Sequence, residues 1–321
     1  MIKRKDSLKK PFVSIIVPVK NINKNIKKSL IPALKKQTFK NFELIIITDK
    51  LLKKGPALKR DLGVKKARGD IIAFIDDDAY PDKNWLKNAL TYFKNPKIGA
   101  VCGPGLLPSN NNWKSKVSDF VWQSKLGAGG AGTYRSQKEK KRFLDDYPSF
   151  NLIVKKKDFL KAGGFKTHFW PGEDTKLCHY LVYQQNKKIV YDPRVFVYHQ
   201  RRPIFIPHLK QISRFGTHRG HFARILPQTS FRLRYLIPSI FALYLITLIL
   251  LIKSIDLNTF YLVFLFPLFL YCFLLLLTFI KVLFKSKNIL IPLFLLPAIF
   301  LTHLTFGIAF IIGYFSLKLK Q

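Results

Sequence analysis

Residues 70–81 read DIIAFIDDDAYP, an apolar run closed by three adjacent carboxylates, Asp76, Asp77 and Asp78. A run this short and this uniformly apolar is the pattern of a strand buried on both faces. Three like charges at its end repel one another. They become tolerable when a divalent cation and a polyphosphate share the site, because hard cations take oxygen ligands from one or two carboxylates plus phosphate and water. Alternate residues of an extended segment point the same way. Asp76 and Asp78 can therefore face one ion while Asp77 turns aside. A solvated acidic turn has the same spacing, so both readings stand at this point.

Working outward, FVSIIVPV (residues 12–19) and FELIIIT (residues 42–48) are two more buried-strand patterns, rich in β-branched residues. Between them, Ile26, Leu30, Ala33 and Leu34 recur at helical spacing. GPALKRDLGVKKA (residues 55–67) predicts a second helix with Ala57, Leu58, Leu62 and Val64 inward. Strand, helix, strand, helix, strand with uniformly apolar strands predicts an α/β fold with a mostly parallel central sheet. Ligands of such sheets bind beyond the carboxyl ends of the strands. Asp49 and the acidic triplet fall at those ends, on one rim.

Charge and hydropathy divide the chain. It carries 55 Lys and Arg against 18 Asp and Glu, a formal charge of +37, yet 48% of its residues are hydrophobic. Beyond Arg234 the charged residues are Lys253, Asp256, Lys281, Lys285, Lys287, Lys318 and Lys320. Residues 235–252, 258–280 and 289–317 are uncharged and apolar on every face. Each approaches or exceeds the ~20 residues that cross a bilayer core. We expect an all-α transmembrane region of about three helices. Pro292 and Pro297 also admit a hairpin followed by an interfacial helix. The expected organisation is a basic tail (1–10), a catalytic domain (11–200), a basic interfacial segment (201–234) and the membrane region (235–321). Arg224, Arg232 and Arg234 before the first span, with Lys281, Lys285 and Lys287 after the second, place the catalytic domain in the cytoplasm of a multi-pass cell-membrane protein. Lys318 and Lys320 run against that orientation. MIKRKDSLKK leads into a strand without the apolar core of a signal peptide. Cys102, Cys178 and Cys272 form no CxxC pair, which disfavours a disulfide scaffold or zinc knuckle.

Five motifs in order, VSIIVPVKN, FELIIITD, RDLGVKKARGDIIAFIDDDAYP, FNLIVKKKDFLKAGGF and PGEDTKLCHYL, resemble the family 2 glycosyltransferases over about residues 12–219. The resemblance implies a nucleotide-diphospho-sugar transferase (GT-A) fold and an inverting transfer. It implies that Pro18 and Asp49 contact the nucleotide base, and that Arg60 and Asp77 belong to the donor site. Asp61 replaces the asparagine usual after Arg60. Asp76 and Asp78 match the DxD pair that holds magnesium or manganese, and the ion holds the diphosphate. Asp174 in the sequence GED matches the general base, with Glu173 supporting it. Inversion needs one carboxylate to take the proton of the attacking hydroxyl. The same two acids also suit the first turn of a helix, where negative charge is favoured.

His199, in FVYHQRR, is a further candidate for metal or phosphate contact, alongside a purely structural role. QISRF (residues 211–215) resembles the QxxRW of polysaccharide synthases with Phe in place of Trp, which speaks against processive synthesis. Arg214, His218 and Arg219 could reach a diphosphate or simply form a cationic interfacial helix. GAGGAGTY (residues 127–134) lacks the lysine of a phosphate-binding loop and reads as a mobile loop near the acceptor or a linker.

The expected partners are a nucleotide-sugar donor, with UDP favoured and GDP or dTDP admitted, and a lipid-linked or glycan acceptor at the membrane. A membrane-tethered nucleic-acid binder fits the charge but has no helix-turn-helix, RRM or zinc pattern behind it, so no nucleic-acid partner is expected. A processive synthase and a polyprenyl-phosphate monosaccharide synthase remain as alternatives.

Overall fold

The computed structural model describes residues 10–130, 132–165, 172–251 and 259–316. The chain forms two compact units. The first runs to Pro108 and resumes over Tyr134–Gln200; the second comprises Ser109–Thr133 and the chain from Arg201 onward.

The first unit is built on a seven-stranded sheet. β1 (Val13–Pro18) pairs in parallel with β2 (Phe42–Ile47) on one side and β3 (Ile71–Ile75) on the other. The helix expected after β1 begins as a wide π turn over Ile26–Leu30 and continues as α1 (Ile31–Lys35); α2 (Pro56–Lys66) crosses between β2 and β3. β3 leads through the acidic triplet into β4 (Ala79–Pro81), then α3 (Trp85–Leu90), β5 (Ile98–Cys102) and β6 (Gly105–Leu106). After the inserted α4 (Trp113–Gln123) and α5 (Lys125–Ala128) of the second unit come α6 (Thr133–Ser136), β7 (Arg142–Leu144), β8 (Asn151–Lys155) and α7 (Lys156–Lys161). α8 (Glu173–His179), β9 (Lys188–Tyr191) and β10 (Val197–His199) complete it.

The strand order is β2-β1-β3-β8-β5-β9-β7. β8 lies antiparallel between β3 and β5, and β7 antiparallel to β9. Strand direction is therefore mostly shared, as expected, but the sheet is mixed. β1, β3, β5 and β8 are buried at every position, which is why apolar residues dominate them, with Ser14, Asn151 and Lys155 as buried exceptions. Phe74 packs between Phe159 and Phe165, with ring centroids at 5.4 and 5.1 Å; burying such a ring contributes roughly 2–3 kcal/mol. A second sheet, β4-β10-β6, sits where β3 ends and pairs His199 opposite Ala79. That pairing brings two segments 120 residues apart in sequence to the acidic triplet.

α2 departs from its expected face. Ala57 and Val64 are buried, but Leu58 is exposed, and Lys59 and Arg60 turn inward instead. Carboxylates at the strand ends provide the partners that make burying two cations tolerable. Gly63 faces β1 at close range: a Cβ there would lie 2.5 Å from Ile16 Cγ2.

The second unit contains α4 (Trp113–Gln123), α5 (Lys125–Ala128), α9 (Ile206–Ile225), α10 (Pro227–Ser230), α11 (Leu233–Leu251), α12 (Thr259–Ser286) and α13 (Leu290–Phe315). The stretches Leu233–Leu250, Phe264–Ser286 and Leu290–Phe315 are long and apolar enough to cross a bilayer. α13 is one continuous helix despite Pro297; Pro292 lies in its first turn, where a missing N–H costs nothing. α9 and α13 meet through small residues. A Cβ on Gly220 or Gly313 would overlap the carbonyl of Phe310 or Thr217 respectively, so glycine is what permits this close backbone approach. The glycine-rich stretch is not simply a loop: α5 runs into it and ends at Gly129, whose φ of 55° lies in the left-handed region. Ala131 and the charged residues Lys253, Asp256, Lys318 and Lys320 fall outside the described residues, as do residues 1–9.

Candidate active site

The carboxyl ends of β1, β2 and β3 share one rim because the three strands are parallel and in register. At that rim Asp76, Asp78 and His199 come together, with one potential ligand atom from each lying within 4.8 Å of the others. His199 Nε2 is 3.1 Å from Asp78 Oδ1. The imidazole stacks on Phe150 at a centroid distance of 4.6 Å, which fixes the ring plane. Two carboxylates and an imidazole suit a divalent ion, and a three-residue set leaves coordination positions for a polyphosphate. Asp76, Asp78 and His199 are thus the residues that could hold magnesium or manganese.

Asp77 turns aside, though through a turn rather than strand alternation: β3 ends at Ile75, and the Ala79 N–H donates to the Asp76 carbonyl at 3.2 Å across the triplet. Asn23 Nδ2 donates to its carboxylate at 2.6 Å, and Asn25 Nδ2 donates to its carbonyl at 2.7 Å. Burial, then the charges of Asp78 and Asp76, push the Asp77 carboxyl up to about 6. Asn23 also accepts from the Ile26 backbone N–H at 2.9 Å, capping the turn that follows β1. An asparagine three residues before an apolar helical run was the available sequence signal for this clamp.

Arg60 links the metal cluster to the GED motif. Its Nη2 donates to Asp76 Oδ1 at 2.7 Å and its Nη1 to Glu173 Oε1 at 3.1 Å. The guanidinium is buried, and the charges of Asp76 and Glu173 raise its pKa further against the opposing cost of burial. Glu173 is buried in the first turn of α8. Asp174 follows it, accepting from the backbone N–H of Thr175 at 2.9 Å and of Ser149 at 3.3 Å. Desolvation, then the charges of Glu173 and Asp146, push the Asp174 carboxyl up to about 7, against the pull of Arg60 and Arg135. Asp146, unforeseen in the sequence, accepts from Thr175 Oγ1 at 2.8 Å and pairs with Arg135 at 3.0 Å.

The β1–β2 end of the rim also holds a residue that sequence reasoning missed. Buried Lys59 donates to the Val19 carbonyl at 2.7 Å and forms an ion pair with Asp49. Pro18, the last residue of β1, is buried opposite Ile47. Asp49 thus lies at the β1–β2 rim as expected, already bound to a cation. Asp61 accepts from the Phe165 backbone N–H at 2.8 Å, so its carboxylate braces the turn after α7. Residues 166–171, which precede the GED motif, lie outside the described residues.

Arg214, His218 and Arg219 belong to the second unit. All three lie on α9, where His218 Nδ1 is 2.7 Å from the Arg214 carbonyl and Arg219 donates to Ser230 Oγ at 3.1 Å. Phe215, the replacement for tryptophan in QISRF, makes an edge contact with Trp122 at 6.1 Å.

Rim, acidic pair, imidazole and buried arginine thus come together in one cluster. Residues 52–159 match the family described as Glycosyl transferase family 2. Among curated relatives, the pre-mycofactocin glycosyltransferase of Mycobacterium tuberculosis is 26% identical over 151 residues, covering 46% of this chain and 31% of its own length. The chain therefore spans about a third of that relative. A Methanococcus voltae enzyme, dolichyl N-acetyl-alpha-D-glucosaminyl phosphate 3-beta-D-2,3-diacetamido-2,3-dideoxy-beta-D-glucuronosyltransferase, is 23% identical over 273 residues, covering 74% of this chain and 81% of that one. Among solved structures, the mannosyltransferase PcManGT of Pyrobaculum calidifontis, in complex with GDP-Man and Mn2+, aligns with a TM-score of 0.48 at 18% identity, covering 68% of this chain and 65% of its own.

Proposed function

We propose that the protein is an inverting glycosyltransferase that moves a sugar from a nucleoside-diphosphate sugar to a lipid-linked glycan acceptor at the membrane. The observation that carries this reading is the Arg60 bridge, which ties the Asp76–Asp78–His199 cluster to Glu173 and Asp174 within one rim. A divalent ion held by Asp76, Asp78 and His199 would offset the negative charge that grows on the departing nucleoside diphosphate.

The protein side chains supply the rest. Asp174 is the base that accepts the acceptor hydroxyl proton as that oxygen attacks the anomeric carbon and the bond to the diphosphate breaks. A carboxyl held near 7 is a stronger base than an ordinary one while still ionised in part at neutral pH. Arg60 pairs with Glu173 beside it and holds Asp76 in place. Asp49 and Pro18 border the base subsite, with Lys59 fixing Asp49. UDP is the favoured nucleotide, and manganese is favoured over magnesium because one of the three ligands is an imidazole.

Two supports point to a lipid-linked acceptor: the three bilayer-length helices, and the relative covering 74% of the chain, whose name specifies a dolichyl phosphate-linked sugar. In this reading the protein is a multi-pass membrane protein with the transferase domain facing the cytoplasm. The test is a panel of UDP-, GDP- and dTDP-sugars offered with Mn2+ or Mg2+ to the purified full chain with a polyprenyl-linked acceptor, read as released nucleoside diphosphate and product size. One donor should give a single-sugar product, lost in Asp78→Ala and Asp174→Asn. A ladder of long chains would overturn single transfer, and turnover independent of both residues would overturn the enzyme reading.

A further inference from the structure

A second recessed site lies behind the metal cluster, on the other face of the small sheet. Successive residues of a strand point to opposite faces. On β10, His199 faces Asp78, so its neighbour Tyr198 faces away from the cluster. The pairing of β10 with β4 sets Tyr198 opposite Tyr80, and the two rings stack at a centroid distance of 4.9 Å. This pair lines a pocket of about 410 Å³ whose lining continues onto the π turn and the end of α1. That volume falls in the ~300–1,000 Å³ range of small-ligand sites.

The frame of the pocket is fixed by buried hydrogen bonds. Gln37, fully buried just beyond α1, donates to the Asp82 carbonyl at 2.6 Å and accepts from the Leu86 N–H at 3.3 Å. The Thr38 N–H donates to the Lys83 carbonyl at 2.9 Å. These bonds lock the segment after β4 to the end of α1. Three cations line the space so framed, Lys28, Lys36 and Lys83. All three are exposed, and none is in an ion pair among the described residues. Asp82 is the one carboxylate of the lining among the described residues. It accepts from the Asn84 backbone N–H at 2.9 Å rather than pairing with a lysine.

Spacing selects the ligand. Lys28 and Lys36 are eight positions apart, roughly 12 Å along a helix, and Lys83 stands on a different segment. A diphosphate concentrates its charge and is well matched by guanidinium forks, and no arginine lines this pocket among the described residues. Ammonium groups set apart around a tyrosine pair suit negative charges spaced along a chain. Single-stranded nucleic acid also combines spaced charge with stacking. A carboxylate in the lining repels consecutive phosphates, however, while it accepts hydrogen bonds from hydroxyls. The electron-rich face of an aromatic ring likewise attracts the polarised C–H groups of a sugar ring. We propose that this pocket is an accessory binding site for an acidic oligosaccharide. Its sugar rings lie against the Tyr80–Tyr198 pair and its carboxylates at Lys28, Lys36 and Lys83. The site shares no side chain with the metal cluster, and the inference does not rest on the proposed function.

The test uses the full chain in nanodiscs of neutral lipid, without donor or metal, and measures binding of tetragalacturonate by titration calorimetry. Parallel arms offer maltotetraose, a neutral counterpart, and an oligothymidylate. We expect tetragalacturonate to bind at least about tenfold more tightly than either. Lys28→Ala combined with Lys36→Ala should weaken it by about tenfold or more, and Tyr198→Leu should weaken it by removing the ring platform. Lys65→Ala combined with Lys66→Ala, an exposed pair at the end of α2 outside the lining, should leave it unchanged. Thermal unfolding confirms that each variant is folded, and Lys83→Ala serves if Tyr198→Leu is not. Failure of tetragalacturonate to bind, or equal binding of maltotetraose, would overturn the proposal. So would equal or tighter binding of the oligothymidylate, undiminished binding in the folded pocket variants, or an equal loss in the α2 pair. Release of nucleoside diphosphate, assayed with donor and metal, reports on the transferase reading separately, so the two can fail independently.

Discussion

Arg60 and Glu173, 113 residues apart, are joined by a buried hydrogen-bonded ion pair of 3.1 Å, and the same guanidinium holds Asp76 at 2.7 Å. One side chain therefore sets the distance between the two acidic motifs of the rim. Arg60→Ala would leave Glu173 buried without its cation, at a cost of about 3 kcal/mol or more in stability. Arg60→Lys keeps the charge but not the planar fork. Urea unfolding should rank the alanine variant below the lysine variant and both below the native chain, with transfer reduced in both.

The elevated Asp174 carboxyl sets a pH dependence with a defined sign. Its folded value of about 7 lies above that of an ordinary carboxyl. The folded state therefore holds the proton more firmly than the unfolded state. Stability associated with this group is present below about pH 4 and is lost as pH rises toward 7. With Asp174 as the proposed base, activity should move the other way, rising through pH 7 as that carboxyl ionises. Glu173→Gln removes the neighbouring negative charge, so the midpoint of the pH–rate profile should fall, as should the midpoint of the stability change. A profile unmoved by Glu173→Gln would remove the electrostatic coupling inferred here.

His199 provides the metal prediction. With its ring fixed by Phe150 and its Nε2 beside Asp78, His199→Ala should raise the Mn2+ concentration for half-maximal transfer by about tenfold or more, while kcat at saturating metal falls less. Asp78→Ala should abolish binding at this site. Titration calorimetry with Mn2+ reads both directly.

Lys59 tests the other end of the rim. Lys59→Met keeps most of the apolar stem and deletes the donor shared by the Val19 carbonyl and Asp49. We expect a loss of about 1–3 kcal/mol and a higher KM for the nucleotide-sugar with little change in KM for the acceptor.

Gly63→Val would drive side-chain atoms into Ile16, where a Cβ alone would already stand 2.5 Å from a buried methyl. Overpacking of this kind costs about 1–3 kcal/mol, and it should shift α2 and with it Lys59 and Arg60. Thermal unfolding and transfer should fall together.

Much of this was open to reading in the chain alone. β1 and β3 could be recognised because strands buried on both faces are mostly apolar, and the three long helices because their apolar runs reach bilayer length. The register of acids at strand ends followed from the parallel crossovers. What stayed hidden were contacts whose partners are remote in sequence. Leu58 looked like the buried residue of α2 because an apolar side chain is ordinarily the one turned inward. Burial of Lys59 and Arg60 makes physical sense only once Asp49, Asp76 and Glu173 surround them, and those residues are 10, 16 and 113 positions away. His199 needed the β4–β10 pairing to reach Asp78, and Tyr198 needed the same pairing to stack on Tyr80. Periodicity records how each segment meets solvent, core or lipid. Coulomb energy between distant groups depends on a separation that no local pattern encodes, so the fold alone decides which charges become neighbours.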